Sequence, residues 1–190
     1  MIGINDDEFI RGNVPMTKQE IRILTIAKAK IKPTDIVVDI GAGTGSLSIE
    51  AARHAKQVFA VERSVEGLEL IKSNAEKFGI DNIKIINAEA PEGLNFIDSA
   101  DVVIIGGSGG KMTEILETVD KIISIGGRIV INCIVVQTFV KATDWFKIHK
   151  YYSYESIQVQ INRIENIGKY DMAKALNPIY IITATKKETK

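Results

Sequence analysis

An acid and three glycines at alternate positions, Asp39-x-Gly41-x-Gly43-x-Gly45, are the residues of this chain best suited to chemistry. They sit inside Ile36–Ala52, IVVDIGAGTGSLSIEAA, where an apolar run meets a glycine turn and then an alanine-rich helical pattern. A buried strand that stops at glycines lets its backbone come close to a ligand, and the following helix presents free N–H groups. That is the geometry of a nucleotide-type cofactor site. Glu62 closes a second apolar run, Gln57–Glu62, 21 residues after Gly41. A carboxylate there can accept hydrogen bonds from both ribose hydroxyls. A third run, Ile83–Asn87, leads into Ala88-Glu89-Ala90-Pro91 and again brings an acid, Glu89, close to a strand end.

A dinucleotide turn wants G-x-G-x-x-G/A, and here the third small position falls on Ser46. The observed spacing resembles instead motif I of the S-adenosylmethionine-dependent methyltransferases. Adenosylmethionine has no pyrophosphate, so such a turn need not cradle one, and a nearby acid complements the ammonium and sulfonium charges. An acid at Glu62 serves NAD and adenosylmethionine alike. Three acids at the ends of three successive strands favour the methyltransferase.

The elements that position these groups alternate between strand and helix patterns, which predicts a parallel sheet with helices on both faces. A first helix is expected from Thr17, through a capping box Thr17-x-x-Glu20, to just before Pro33. Strands are expected at Ile36–Ile40, Gln57–Glu62, Ile83–Asn87, Asp101–Ile105 and Arg128–Val136, the last entered through Gly126-Gly127. Helices are expected over Leu47–Ala55, after Ser64 to Gly79, behind Gly106–Gly110, and from a Thr138 cap. Ser156–Ile164 alternates like a half-buried strand, and Ile179–Thr185 follows with no helix between them, so the last pair is antiparallel. The fold class is therefore α/β, Rossmann-like, with seven mostly parallel strands and the last reversed. The loop Glu165–Asn177 is then expected at the ligand-binding edge, with Arg163, Lys169 and Lys174 available to carboxylates.

Composition narrows the class of partner. Residues 1–190 read as one domain, a leader with a helix over 1–33 and a core over 34–190. Lys+Arg and Asp+Glu are both 24, so broad attraction to nucleic acid is not expected. A single cysteine, Cys133, rules out an internal disulfide framework or a cysteine-rich zinc site, and His54 and His149 are far apart, so no metal is expected. The acidic start, MIGINDDEFIRG, is unlike a signal peptide, and no run approaches a membrane span. A cytoplasmic protein is expected.

Four segments, DDEFIRG (Asp6–Gly12), VPMTKQEIR (Val14–Arg22), VDIGAGTGSLSIEAA and IIGGSGGKM (Ile104–Met112), closely resemble the cobalt-precorrin C15-methyltransferases (decarboxylating) of cobalamin biosynthesis. The resemblance implies adenosylmethionine-dependent methylation of C15 of a corrinoid with loss of the ring-C acetate carboxylate. It also implies a homotetramer and a separate protein for C5 methylation. By the same resemblance Thr17, Gly41, Ala42, Gly43, Thr44, Gly45, Glu62 and Ala90 meet the donor, alongside Asp39 and Glu89, where the family often has aspartate at position 89. Gly106, Gly107, Ser108, Gly109 and Gly110 would face cofactor and substrate, and Arg11, Lys18 and Lys111 are candidates for the substrate's carboxylates. No general-base constellation is evident. Alternatives are an RNA or other small-molecule methyltransferase, an NAD-dependent reductase, or a non-catalytic adenosylmethionine-binding module. The place after the fourth strand lacks the D/N-P-P-Y/F of amino-methylating nucleic-acid enzymes, and Cys133 lies mid-strand, out of reach of a base.

Overall fold

The computed structural model describes residues 3–188. Its elements run α1 (Gln19–Ala29), β1 (Ile36–Ile40), α2 (Ser46–Ala52), β2 (Gln57–Glu62), α3 (Val65–Lys77), β3 (Ile83–Asn87), β4 (Ala100–Ile105), α4 (Met112–Ile122), β5 (Ile123–Cys133), α5 (Val136–Ile148), β6 (Tyr152–Val159), β7 (Asn162–Ile167), β8 (Tyr170–Ala175) and β9 (Ile179–Lys186). A seven-stranded sheet has the order β3-β2-β1-β4-β5-β9-β6. Neighbours from β3 to β5 pair in parallel, and β9 runs antiparallel to both β5 and β6. Seven strands with the last reversed is the expected architecture.

Period-two alternation explains the two layers. Val38, Ile40, Val103, Ile105, Ile129 and Ile131 face a core completed by Ile115, Leu116, Trp145 and Phe146 of α4 and α5. Val37, Val102, Ile104 and Val130 face the other way, toward Ile21 and Ile26 of α1 and Leu47 and Ala51 of α2. Central strands buried on both faces have no reason to alternate in polarity, which is why they read as unbroken apolar runs.

Several boundaries differ from expectation. Helix α1 starts at Gln19, and its cap is not Thr17. The Gln19 N–H donates instead to Asp6 Oδ1 at 2.9 Å, so a carboxylate 13 residues upstream closes the helix end. Arg22, wholly buried, pairs with the same Asp6 oxygen at 2.7 Å and lies over the Phe9 ring at 4.7 Å, pinning the leader. Strand β5 begins five residues early, at Ile123, with a register shift opposite Ala100–Val102, and ends at Cys133. Helix α5 consequently starts at Val136 and Thr138 lies inside it. The Ser64 hydroxyl caps α3 as expected, accepting from the Gly67 N–H at 3.0 Å.

The largest difference follows β6. The expected strand Ser156–Ile164 is two pieces, β6 and β7, and the expected loop Glu165–Asn177 is mostly a β7–β8 hairpin outside the main sheet. Short stretches of mixed apolar and charged residues, with neither face buried in the core, hid these strands.

Candidate active site

The carboxyl ends of β1, β2, β4, β5 and β6, together with the start of β9, open onto one cavity of about 530 Å³. Open α/β sheets bind ligands at this edge. Val14 to Lys18 of the leader form one wall, Gly41–Gly43 and Glu62 the floor, and Gly106–Gly109 the facing loop.

Hydrogen bonds within the turn set its chemistry. The Gly41 and Ala42 N–H groups donate to Val61 O at 3.0 and 3.2 Å, Gly43 N–H to Glu62 Oε2 at 2.9 Å, and Gly45 N–H to Ala42 O at 2.8 Å. These amides are occupied by protein acceptors and do not form a phosphate cradle, unlike a phosphate-binding helix start. Gly41 and Gly43 have positive φ, +71° and +57°. A methyl on Gly41 would meet the Gly107 backbone at 2.8–2.9 Å, and one on Gly43 would come 3.0 Å from Pro15 O. The turn is thus sealed against both the leader and the loop after β4. That loop is tied down in turn, with the Gly106 and Gly107 N–H groups donating to Ile40 O at 2.9 and 3.3 Å.

Glu62 faces the cavity with its carboxylate fixed by three backbone donors. Oε1 accepts from Arg63 N and Ser64 N at 2.9 and 2.8 Å, while Oε2 takes Gly43 N. One lone pair, on Oε2, is left over for a ligand hydroxyl. Asn74, wholly buried on α3, ties leader to turn: its amide nitrogen donates to Thr44 O at 2.9 Å and Ile10 O at 3.1 Å, and its oxygen accepts from Ile10 N at 2.8 Å.

Residues 8–186 match the sequence profile of the precorrin methyltransferase domain. The chain belongs to the precorrin methyltransferase family. It is 40% identical, over 97% of each chain, to a Sulfurisphaera tokodaii protein named "Probable cobalt-precorrin-6B C(15)-methyltransferase (decarboxylating)". The crystal structure of a precorrin-6y C5,15-methyltransferase of Geobacter metallireducens is similar with a TM-score of 0.91 at 39% identity, covering 97% of this chain and 98% of that one. A precorrin 8W decarboxylase of Methanobacterium thermoautotrophicum gives 0.90 at 31% identity, over 95% and 98%.

In this precorrin methyltransferase the expected site residues divide. Thr17, Gly41, Ala42, Gly43, Glu62, Glu89, Ala90, Gly106, Gly107, Ser108 and Gly109 line the cavity together, as does Lys18. Asp39, Thr44, Gly45, Gly110, Lys111 and Arg11 do not. Asp39 is fully buried beneath the turn, accepting from Ser48 Oγ at 2.6 Å, and burial pushes its carboxyl up to about 6. It supports the turn from below, because a residue two before the first glycine points into the layer under β1. Thr44 is buried within the turn, and Gly45 lies so close to Ile71 that a methyl there would come 3.1 Å from it. Arg11 is exposed on the leader outside the lining. Lys111 is already paired with Glu89 at 3.2 Å and Glu92 at 3.6 Å, and Glu89 also holds Arg63 at 2.8 Å. Those carboxylates raise the Lys111 ammonium above its ordinary range.

Three cations expected at the ligand edge have other partners. Arg163 pairs with Glu20 at 2.9 Å, Lys174 with Glu165 at 3.0 Å, and Lys169 lies 5.3 Å over the Tyr170 ring. Cys133 is a core residue whose thiol burial pushes up to about 11. His149 stacks on Trp145 at 3.7 Å between ring centres.

At the far end of the cavity, Leu176 and Asn177 come from the Glu165–Asn177 segment expected at this edge, while Ile21, Asn132, Ile134, Val159, Ile161 and Ile179 were not singled out by sequence reasoning. The only signal available was that the C-terminal strands end at the same edge as the glycine turn.

Proposed function

We propose that this chain uses S-adenosylmethionine to methylate C15 of cobalt-precorrin-6B while the ring-C acetate is decarboxylated, giving cobalt-precorrin-7. The observation that carries the reading is the turn: its amides are consumed by Val61 O and Glu62, yet Glu62 faces the cavity. This supports a ligand with ribose hydroxyls and no pyrophosphate lodged in the turn, which an NAD-dependent reductase would require. The names of the relatives supply the acceptor.

The donor, when bound, supplies a methyl group already activated on sulfonium. Glu62 would take a ribose hydroxyl on Oε2, the backbone of Gly41–Gly43 would pass along the amino-acid part, and Ala90 would lie against the adenine. Thr17, in the wall made by the leader, would close over the amino-acid end. The chain's own contribution is alignment and exclusion of water, because the corrinoid supplies both the nucleophilic carbon and the electron sink for decarboxylation. We further infer a homotetramer, a separate C5-methylating partner and a cytoplasmic location. The exposed β7–β8 hairpin, carrying Ile164, Ile167, Tyr170 and Met172 at the surface, supports assembly, since an isolated two-stranded hairpin is marginal in water. No helix among the described residues is long and apolar enough to cross a membrane.

The test incubates the protein with methyl-labelled adenosylmethionine and cobalt-precorrin-6B, following methyl incorporation and carbon dioxide release. Both are expected together. Labelling of RNA with none of the corrinoid would overturn the acceptor, and no heat of adenosylmethionine binding would overturn the donor.

A further inference from the structure

The lining of the cavity extends beyond the glycine turn to the C-terminal strands, and the two parts differ in chemistry. At the far end the last residues of β5 and β6, the hairpin base and the first residue of β9 bring together Ile134, Val159, Ile161, Leu176 and Ile179 around Asn132. Pairing fixes this wall: Val159 lies opposite Ile179, and the Leu176 N–H donates to Ile161 O at 3.0 Å, closing the hairpin base. Val159, Ile161 and Ile179 pack on the core beneath α1 yet stay partly open, because their other side faces the cavity.

The charges of the lining are accounted for with one exception. Glu62 is held by three backbone N–H groups, and Arg63 and Glu89 pair with each other. Lys18 has no carboxylate within ion-pair distance among the described residues, although it lines the cavity three residues before Ile21 on α1's inner face. Asn132 is similarly half-committed. Its Nδ2 donates to Thr25 Oγ1 at 2.9 Å and its Oδ1 lies 3.2 Å from the same hydroxyl, whose one proton is shared with Ile21 O at 2.6 Å, so one amide N–H and one oxygen lone pair of this lining residue remain for a ligand.

An apolar wall, one spare cation and one half-free amide match a flat conjugated ring that carries carboxylates. We propose that this end is the acceptor subsite, with Lys18 pairing a peripheral carboxylate, Asn132 bonding the ring's polar edge and the wall taking its apolar face. The assignment rests on the methyltransferase reading of the turn and selects Lys18 over Arg11, which lies outside the lining, and Lys111, which is already engaged by two acids. A carboxylate brought into an apolar pocket needs a cation, and a cation without a partner at such a place is a specificity device.

Two probes separate the ends: S-adenosylhomocysteine by calorimetry and cobalt-precorrin-6B by its visible absorption. For K18A the corrinoid Kd is expected to rise about tenfold or more, the size of one charge-assisted hydrogen bond, with recovery in K18R. I161N should weaken the corrinoid by a similar factor, while S-adenosylhomocysteine stays within about twofold for all three variants. Corrinoid affinities unchanged in both K18A and I161N, with wild type binding both probes, would overturn the subsite. Wild type that binds S-adenosylhomocysteine and no corrinoid would overturn the corrinoid reading and the subsite with it; wild type that binds neither would overturn the methyltransferase reading itself.

Discussion

The two ends of the cavity are built by different parts of the chain. At the turn the ligand-facing surface is backbone, crowded so closely that Gly41 faces Gly107 and Gly43 faces Pro15 with no room for a methyl group. At the far wall it is side chains, Ile134, Val159, Ile161, Leu176 and Ile179, each an ordinary residue at a strand end. A site made of backbone constrains residue type at every position and leaves a spacing in the sequence. A site made of aliphatic side chains constrains only size and polarity, and the core does the same.

The most forceful way to separate the ends is Gly41→Ala. The backbone there sits at φ +71°, and the new methyl would collide with the Gly107 N, Cα and O atoms. Left-handed strain of about 1–2 kcal/mol and a displaced loop together predict donor affinity reduced at least about a hundredfold. Calorimetry with S-adenosylhomocysteine measures it, and a corrinoid titration runs beside it. Corrinoid binding kept within a few-fold would establish two separable ends; joint loss would make the cavity one unit.

Glu62→Gln is subtler. Both carboxylate oxygens accept N–H groups, so an amide must turn its NH₂ toward one of them. Donor affinity is expected to fall about thirtyfold, the value of one charged hydrogen bond lost and one buried donor left unpaired. A change under about threefold would mean that Glu62 only shapes the turn.

The same contrast explains what the sequence could disclose. Strand limits at Ile36–Ile40, Gln57–Glu62 and Ile83–Asn87 were legible because the apolar runs end at a glycine, an acid and an asparagine. The reversed β9 was legible because no helix pattern separates it from β6. Thr17 as a helix cap was misread, since the competing acceptor, Asp6, is brought to the Gln19 N–H only by the folded leader. For Asp39, spacing places a residue on a strand and not on a face: its carboxylate lies under the turn against Ser48. Asn132 carries no pattern of its own, and Lys18 stands in the sequence beside Arg11 and Lys111 with nothing to choose among them. Their role depends on which neighbours have already found partners, a property of the fold alone.

Asp39→Asn therefore separates support from contact. Burial raises the carboxyl from 3.8 to about 6, so the native state holds a proton that the unfolded chain releases. Stability is then greatest below the lower value and falls as pH rises through the higher one, a cost of about 3 kcal/mol by neutral pH. Urea midpoints of Asp39→Asn should be flatter across that window than those of wild type. Donor affinity should stay within about threefold, since the side chain does not line the cavity. A hundredfold loss would return Asp39 to the ligand.

Lys111→Ala is expected to do least. The ammonium is exposed and shared between Glu89 and Glu92 at the rim, an arrangement that water and salt screen well. Removing it frees Glu89 to Arg63 alone, leaving that pair at 2.8 Å. The corrinoid KM is expected to move less than about threefold, and raising ionic strength should shrink even that difference. A tenfold rise in KM, abolished by salt, would place a substrate carboxylate at the rim as well as at Lys18, and the acceptor end would then reach across the loop after β4.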